Sequence, residues 1–165
     1  MKIAIFYGSM TGNTESAAKT IAEKFGGAEC FAVDAGSLTK MADYDLILLG
    51  SSTWGIGDPE DSWDVLLGDL ASLHLEGKFV SFFGMGNQDG FGDSYVDAMG
   101  VLKEALSGSG ATFVGTWPTD GYSFTESKSL ENGAFVGLAL DDDNQPGQTD
   151  ARIAAWVEKL QSEVA

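Results

Sequence analysis

Residues 7–15, YGSMTGNTE, connect the apolar run Ile3, Ala4, Ile5 and Phe6 to a stripe of Ala17, Ala18, Ile21, Ala22 and Phe25. The first run reads as a buried strand and the stripe as the inner face of an amphipathic helix. The turn between them is built from small residues. Gly8 and Gly12 let the backbone approach a ligand closely, while Ser9, Thr11, Asn13 and Thr14 offer neutral donors. The start of the helix adds free N–H groups and the positive end of a dipole. This reads as a phosphate cradle without a cation, since no Lys or Arg lies between Lys2 and Lys19. The spacing G-x-x-x-G-N-T lacks the lysine of nucleotide-hydrolysing loops, so ATP or GTP hydrolysis is not expected. The same turn also suits plain helix capping, and the other loops have to decide.

Outward from this unit, apolar runs keep alternating with helical patterns, the signature of a parallel sheet with crossover helices. Strands are expected at 2–7, 29–33, 46–50, 79–83 and 112–117, with a further extended segment at 135–140. The third and fourth are nearly continuous apolar runs, as in strands covered on both faces. Helices are expected at 14–25, near 63–72, at 94–107 and at the C-terminus, where Ile153, Trp156, Val157, Leu160 and Val164 share a face. Residues 118–133 are polar and turn-rich, and strand material resumes right after them, so they read as an inserted loop. The expectation is α/β: one domain, 1–165, built as a doubly wound five-stranded sheet. Ligands of such sheets sit beyond the C-terminal strand ends where the strand order reverses. The loops 8–14, 51–62 and 84–95 leave those ends.

Charge narrows the partners. The chain has 25 acidic and 9 basic residues, a formal charge of −16. Nucleic acid and anionic membrane surfaces are disfavoured, whereas steering toward basic protein partners is favoured. No run approaches the roughly 18 apolar residues of a membrane span, and the N-terminus lacks a secretion-signal pattern. The single cysteine, Cys30 in the stretch ECFAVD, allows no internal disulfide and reads as a small core residue in a reducing cytoplasm.

The second loop, GSSTWGIGDPEDSWD (50–64), puts Trp54 between Thr53 and Gly55 just past a strand end. Tryptophan amid glycines and acids suits stacking on a flat ring better than a core. The third, FGMGNQDGFGDSY (83–95), repeats the arrangement with Phe91 between Gly90 and Gly92. Two aromatic loops at adjacent strand ends, beside a phosphate cradle, imply a planar aromatic ligand that carries a phosphate.

Together, YGSMTGNTE, STWGIG and GMGNQDGFGDSY resemble the phosphate and the two aromatic loops of flavodoxins, the small FMN electron carriers. The stretch WPTDGYSFTESKSLENGAFVGLALDDDNQ (117–145) is similar to the insertion that splits the fifth strand of the long-chain subgroup. The resemblance implies a three-layer fold with strand order 2-1-3-4-5, the order that flavodoxin itself exemplifies. It implies a low-potential one-electron carrier with non-covalent FMN, a cytoplasmic monomer without catalysis of its own. Such a carrier shuttles between redox proteins such as ferredoxin–NADP reductase, photosystem I or a nitrogenase-type acceptor.

By the same resemblance, Ser9, Met10, Thr11, Gly12, Asn13 and Thr14 surround the FMN phosphate. Ser52, Thr53, Trp54, Gly55 and Gly57 line one side of the isoalloxazine. Met85, Gly86 and Asn87 meet its pyrimidine edge, and Phe91, flanked by Asp89, Gly92 and Asp93, covers the outer face. Asp143 reaches the ribityl chain. Family members usually carry tyrosine where this chain has Phe91, which keeps the stacking ring and removes a hydroxyl. Asp58, Glu60, Asp61, Asp89 and Asp93 each read as solvated surface when taken singly. Collectively they make further negative charge on a bound ring unfavourable.

The remaining features read as structural. His74 fits an exposed loop, the acids at 141–143 fit a solvated turn rather than a cation site, and Trp63, Trp117 and Trp156 fit packing roles. An FMN-dependent NAD(P)H–quinone reductase of the same fold is the alternative function. It needs room for a second ring where Phe91 covers the flavin, and basic groups that are scarce here. A response-regulator receiver needs an acidic pair after the first strand and an aspartate ending the third. Tyr7-Gly8 and Gly50-Ser51-Ser52 stand there instead.

Overall fold

Strand β1 (Ile3–Gly8) lies between β2 (Glu29–Ala32) and β3 (Leu46–Trp54), parallel to both. The computed structural model describes residues 1–8, 12–54 and 57–165. Ser9, Met10, Thr11 and Gly55, all expected at the site, lie outside the described residues, as does Ile56.

Helix α1 (Asn13–Lys24) connects β1 to β2. A short helix α2 (Ala35–Leu38) and a 3₁₀ turn (Met41–Asp43) lead into β3, which doubles back through β4 (Asp58–Pro59). Two single-turn helices, α3 (Asp61–Asp64) and α4 (Leu67–Leu70), precede β5 (Phe79–Met85). Helix α5 (Asp97–Ala105) follows, then β6 (Thr112–Phe113), β7 (Trp117–Pro118), β8 (Leu130–Glu131), β9 (Ala134–Phe135) and β10 (Leu138–Leu140). A 3₁₀ turn (Pro146–Gln148) opens into α6 (Thr149–Glu163).

The parallel sheet runs β2-β1-β3-β5, and its last position is shared: β6 pairs with the start of β5 and β10 with its end. Counted as five strands, the order is 2-1-3-4-5, as expected. The sequence reading of one strand over 112–117 is corrected. After Phe113 the chain turns at Gly115 (φ +79), where a Cβ would lie 2.4 Å from Ser81 Oγ and 2.7 Å from Leu160. The chain regains the edge only at Leu138, after Gly137 has passed so near Phe82 that a Cβ would meet its carbonyl oxygen at 2.0 Å. The intervening stretch is also more than a loop, since β7, β9 and β8 form a small antiparallel sheet.

Successive side chains on the strands face opposite layers. Ile5, Leu48, Phe83 and Leu140 pack with α1 and α6, while Phe6, Leu49, Phe82 and Val80 pack with α3, α4 and α5. Trp63 and Trp156 are fully buried, one in each layer, and their indole N–H groups donate to the Gly50 and Gly115 carbonyls at 2.8 Å. The reading of these two tryptophans as packing residues holds.

Two further boundaries move. The helix expected near 63–72 is broken into α3 and α4 at Leu66, whose ψ is 0. The helix expected from 94 starts at Asp97, because Val96 is held in the left-handed region at φ 48, ψ 29.

Candidate functional site

The C-terminal ends of β3 and β5 and the start of α1 border a cleft of about 310 Å³. Four large apolar side chains are exposed among the described residues, and two of them line this cleft: Trp54, 40% exposed, and Phe91, 57% exposed. Burial would be the default for either ring, so two of them on one cleft mark a surface kept apolar for a ligand.

Trp54 is presented by an extension of β3 beyond its expected end at Gly50. The strand continues past Gly50 because Ser51 and Ser52 keep pairing with Gly84 and Met85, and Thr53 and Trp54 pair back with Pro59 and Asp58. The indole N–H of Trp54 donates to Ser52 Oγ at 2.7 Å, which sets the orientation of the ring. Thr53 Oγ1 accepts the N–H of Ala98 at 3.1 Å and ties this strand end to α5. Gly57 (φ +95) is buried where a Cβ would stand 2.6 Å from Asp97 Oδ2, so it shapes the loop and does not line the cleft.

Phe91 is presented by a turn wound around Asn87. The Asn87 carbonyl accepts the N–H of Phe91 at 2.8 Å, and its side-chain oxygen accepts from Gly90 N–H at 2.7 Å and Asn144 Nδ2 at 2.8 Å. Behind it stands Asp141, wholly buried, which accepts from Gln88 N–H and Asn144 N–H, both at 3.0 Å. This corrects the reading of 141–143 as a solvated turn. Asp141 is the internal anchor of two loops, Asp142 is half-buried and accepts from the Thr149 hydroxyl, and only Asp143 is exposed.

The inserted segment straps the other side of the same turn. Thr125 and Glu126 donate to the Gly92 carbonyl at 2.8 and 3.0 Å, and Ser127 Oγ donates to the Tyr95 carbonyl at 2.5 Å. Ser129 Oγ donates to the Val96 carbonyl at 2.6 Å, and Lys128 N–H donates to Asp97 Oδ1 at 2.6 Å. Burial pushes the Asp97 carboxyl above its ordinary range, against the opposing pull of the Lys128 N–H.

Of the expected residues, Asn13, Ser52, Thr53, Trp54, Met85, Gly86, Asn87, Phe91 and Asp143 come together on the cleft. Thr14 is buried in the first turn of α1, next to Asn13. Gly12 precedes that turn at φ +90, a backbone that a side chain would strain, and it carries none with which to cap the helix. Asp89, Gly92 and Asp93 do not line the cleft. They border a shallow groove on the far side of Phe91. Ser94, Tyr95, Val96 and Asp142 line the cleft without having been singled out. Tyr95 carried a signal, an aromatic in the same loop, but nothing in the sequence marks Val96. No Lys or Arg lines the cleft among the described residues. Among the described residues there is also no group of three His, Cys, Asp or Glu side chains placed to hold a metal.

The arrangement is a cleft that carries two exposed aromatic rings and is bordered by Asn13 at the start of α1. It accepts a flat ring bearing an anionic tail.

Comparison with known proteins agrees. The family model described as "Flavodoxin" matches residues 5–156. The flavodoxin of Nostoc sp. (strain PCC 7120) is 45% identical over 164 residues, covering 98% of this chain and 96% of the relative. Flavodoxin 2 of Escherichia coli K12 is 40% identical over 169 residues, covering 100% and 98%. Among solved structures, a Fusobacterium nucleatum flavodoxin bound to flavin mononucleotide superposes with a TM-score of 0.93. It is 31% identical, with 98% of each chain covered.

Proposed function

The chain belongs to the flavodoxin family, and from that premise we propose that FMN occupies the cleft between Trp54 and Phe91. The function is that of a one-electron carrier with non-covalent FMN rather than an enzyme. One observation carries the assignment of the site: two half-exposed aromatic rings share a cleft at adjacent strand ends, beside the N-terminus of α1. The residues fit the group. A volume of about 310 Å³ suits one ring system with its tail left open to solvent.

In this reading Gly12, Asn13 and Thr14, with Ser9, Met10 and Thr11, hold the phosphate through hydroxyls, an amide and backbone N–H groups. Trp54 and Phe91 exclude water from the two faces, and the Ser52 hydroxyl restrains Trp54. Thr53, Gly55 and Gly57 shape the tryptophan side. Met85, Gly86 and Asn87 form the floor, and Asp143 stands toward the sugar-alcohol chain. When bound, FMN supplies reversible one-electron chemistry that no side chain here provides. Asp142 and Asp143 line the cleft and Asp89 and Asp93 lie just beyond Phe91, so this end of the chain carries negative charge that opposes added electrons.

The same charge favours a basic redox partner, of which ferredoxin–NADP reductase, photosystem I and a nitrogenase-type acceptor are instances. The described residues include no helix long and apolar enough to cross a membrane. A monomeric, one-domain carrier working in the cytoplasm fits the remaining features. Titration of the flavin-stripped chain with FMN tests the site: the expected result is one-to-one binding with quenched flavin fluorescence, weakened by Trp54→Ala and by Phe91→Ala. Binding that neither substitution weakens would place the flavin elsewhere.

A further inference from the structure

A buried carboxylate stands against the strand end that feeds the first loop. Glu60 is 3% exposed, and a Cβ placed on Gly8 would lie 2.3 Å from its Oε2. Trp63 crowds the same point, its Cδ1 2.9 Å away. Local hydrogen bonds fix the carboxylate there. Oε2 accepts from Ser62 N–H at 2.9 Å, Oε1 accepts from the Ser62 hydroxyl at 3.2 Å, and Glu60 N–H donates to the buried Ser51 Oγ at 3.1 Å. None of the ion pairs among the described residues includes Glu60. The sequence expectation that it is solvated surface is therefore corrected.

We propose that Glu60 sets how strongly this chain prefers a phosphorylated flavin over an unphosphorylated one. The proposal rests on the FMN reading above. Gly8 is the last residue of β1, and the cradle begins at the next position. By chain reach an amide two or three residues further on stands no more than about 7–11 Å from Gly8. At that range a unit charge acts through partly buried protein, where screening is weaker than in bulk water. The cradle has neutral donors and a helix dipole to attract phosphate, no lysine or arginine, and one fixed negative charge beside it. Glu60 does not line the slot between Trp54 and Phe91, so its charge bears on the phosphate end more than on the ring. The chain thus holds FMN less tightly than its cradle permits.

The test compares dissociation constants of FMN and riboflavin for the flavin-stripped full-length chain and three variants. Glu60→Gln keeps an acceptor for Ser62 and removes the charge; Glu60→Ala removes both. Asp43→Asn, an exposed acid before β3 at the opposite end of the sheet, removes one charge of the same sign far from the cradle. Unit-charge removal at such range should tighten FMN by about 3–30-fold in both Glu60 variants. Riboflavin affinity should stay within about twofold by the same reasoning, because riboflavin lacks the phosphate. Asp43→Asn should leave the FMN-to-riboflavin ratio unchanged. An unchanged ratio in Glu60→Gln overturns the proposal, as does an equal shift in Asp43→Asn. So does a parallel loss of both affinities, which would make Glu60 a purely structural residue. If the parent binds FMN and riboflavin equally, the phosphate assignment itself fails, and the proposal falls with it.

Discussion

Ser129 offers the sharpest test of whether the inserted segment builds the site or merely decorates it. Its side chain is wholly buried, and its hydroxyl stands where the first i→i−4 bond of α5 would run. It accepts the N–H of Gly100 at 2.9 Å and donates to the carbonyl of Val96 at 2.6 Å. A side chain bridges the bond because Val96, a β-branched residue, has φ +48, a conformation that costs about 1–3 kcal/mol and needs external support. In Ser129→Ala the Val96 carbonyl still accepts Met99 N–H at 3.1 Å, so the group left without a partner is Gly100 N–H. An orphaned buried N–H costs about 1–3 kcal/mol. For a chain of this size that lowers Tm by roughly 2–12 °C. Val96 lines the cleft, so FMN affinity should fall as well. Thermal unfolding of the flavin-stripped variant and an FMN titration measure the two effects. A loss below about 0.5 kcal/mol would mean that α5 closes its own bond and the strap is dispensable. Lost stability with FMN affinity kept within about twofold would detach the strap from the site.

Three further outcomes follow from charge. The Tyr44 phenol, hydrogen-bonded to Glu29 and buried, is pushed up from 10.0 to about 12. Its contribution to stability is therefore complete below pH 10 and lost as pH rises toward 12. Tyr44→Phe should abolish that alkaline loss, and tyrosinate absorbance during the titration reports it. Asp97 has the opposite sign from an ordinary paired acid: its folded carboxyl is raised by burial, so its ionised form carries a penalty at neutral pH. That penalty is relieved as pH falls through the raised value toward 3.8. The parent should gain stability over Asp97→Asn on acidification, and equal pH profiles in denaturant unfolding would refute this. Electron transfer to a basic partner should slow as salt rises, with or without a maximum at intermediate salt; stopped-flow rates that stay flat or climb throughout would contradict steering.

What the sequence disclosed depended on period and on local turn chemistry. Ile3 to Phe6 followed by the Ala17–Ile21 stripe needed no tertiary information, because both patterns are complete within the segment. The two aromatic loops were legible for the converse reason, since Trp54 and Phe91 sit in glycine-rich polar surroundings that no core would use. The end of β3 is not legible in the sequence because Ser51, Ser52 and Thr53 look like loop residues, yet their place is decided by ladder partners on β5 and β4. Likewise Gly115 and Gly137 break the edge strand through contacts with Ser81 and Phe82, which lie far away in sequence. Asp141, Glu60 and Ser129 share one cause of concealment. Each is a polar residue in a polar stretch, and burial by another segment turns it from solvated surface into an anchor.

These buried anchors also bear on how so acidic a chain would keep the proposed phosphate loop. Glu60 and Asp141 lie on separate loops at the C-terminal edge of the sheet, and both are held by backbone N–H groups and neutral side chains rather than by cations. A carboxylate held in this way is satisfied locally, so it does not compete for lysines, and the chain has only 9 basic residues in all. In the proposed reading, the start of α1 follows the same rule with the roles reversed, offering donors to an anion from outside. A Lys or Arg in that loop would bind phosphate more tightly, but it would also offset the negative charge near the cleft. Neutral donors leave that charge in place. In the proposed reading, the phosphate affinity given up is the condition for keeping the redox ring beside uncompensated carboxylates such as Asp142 and Asp143.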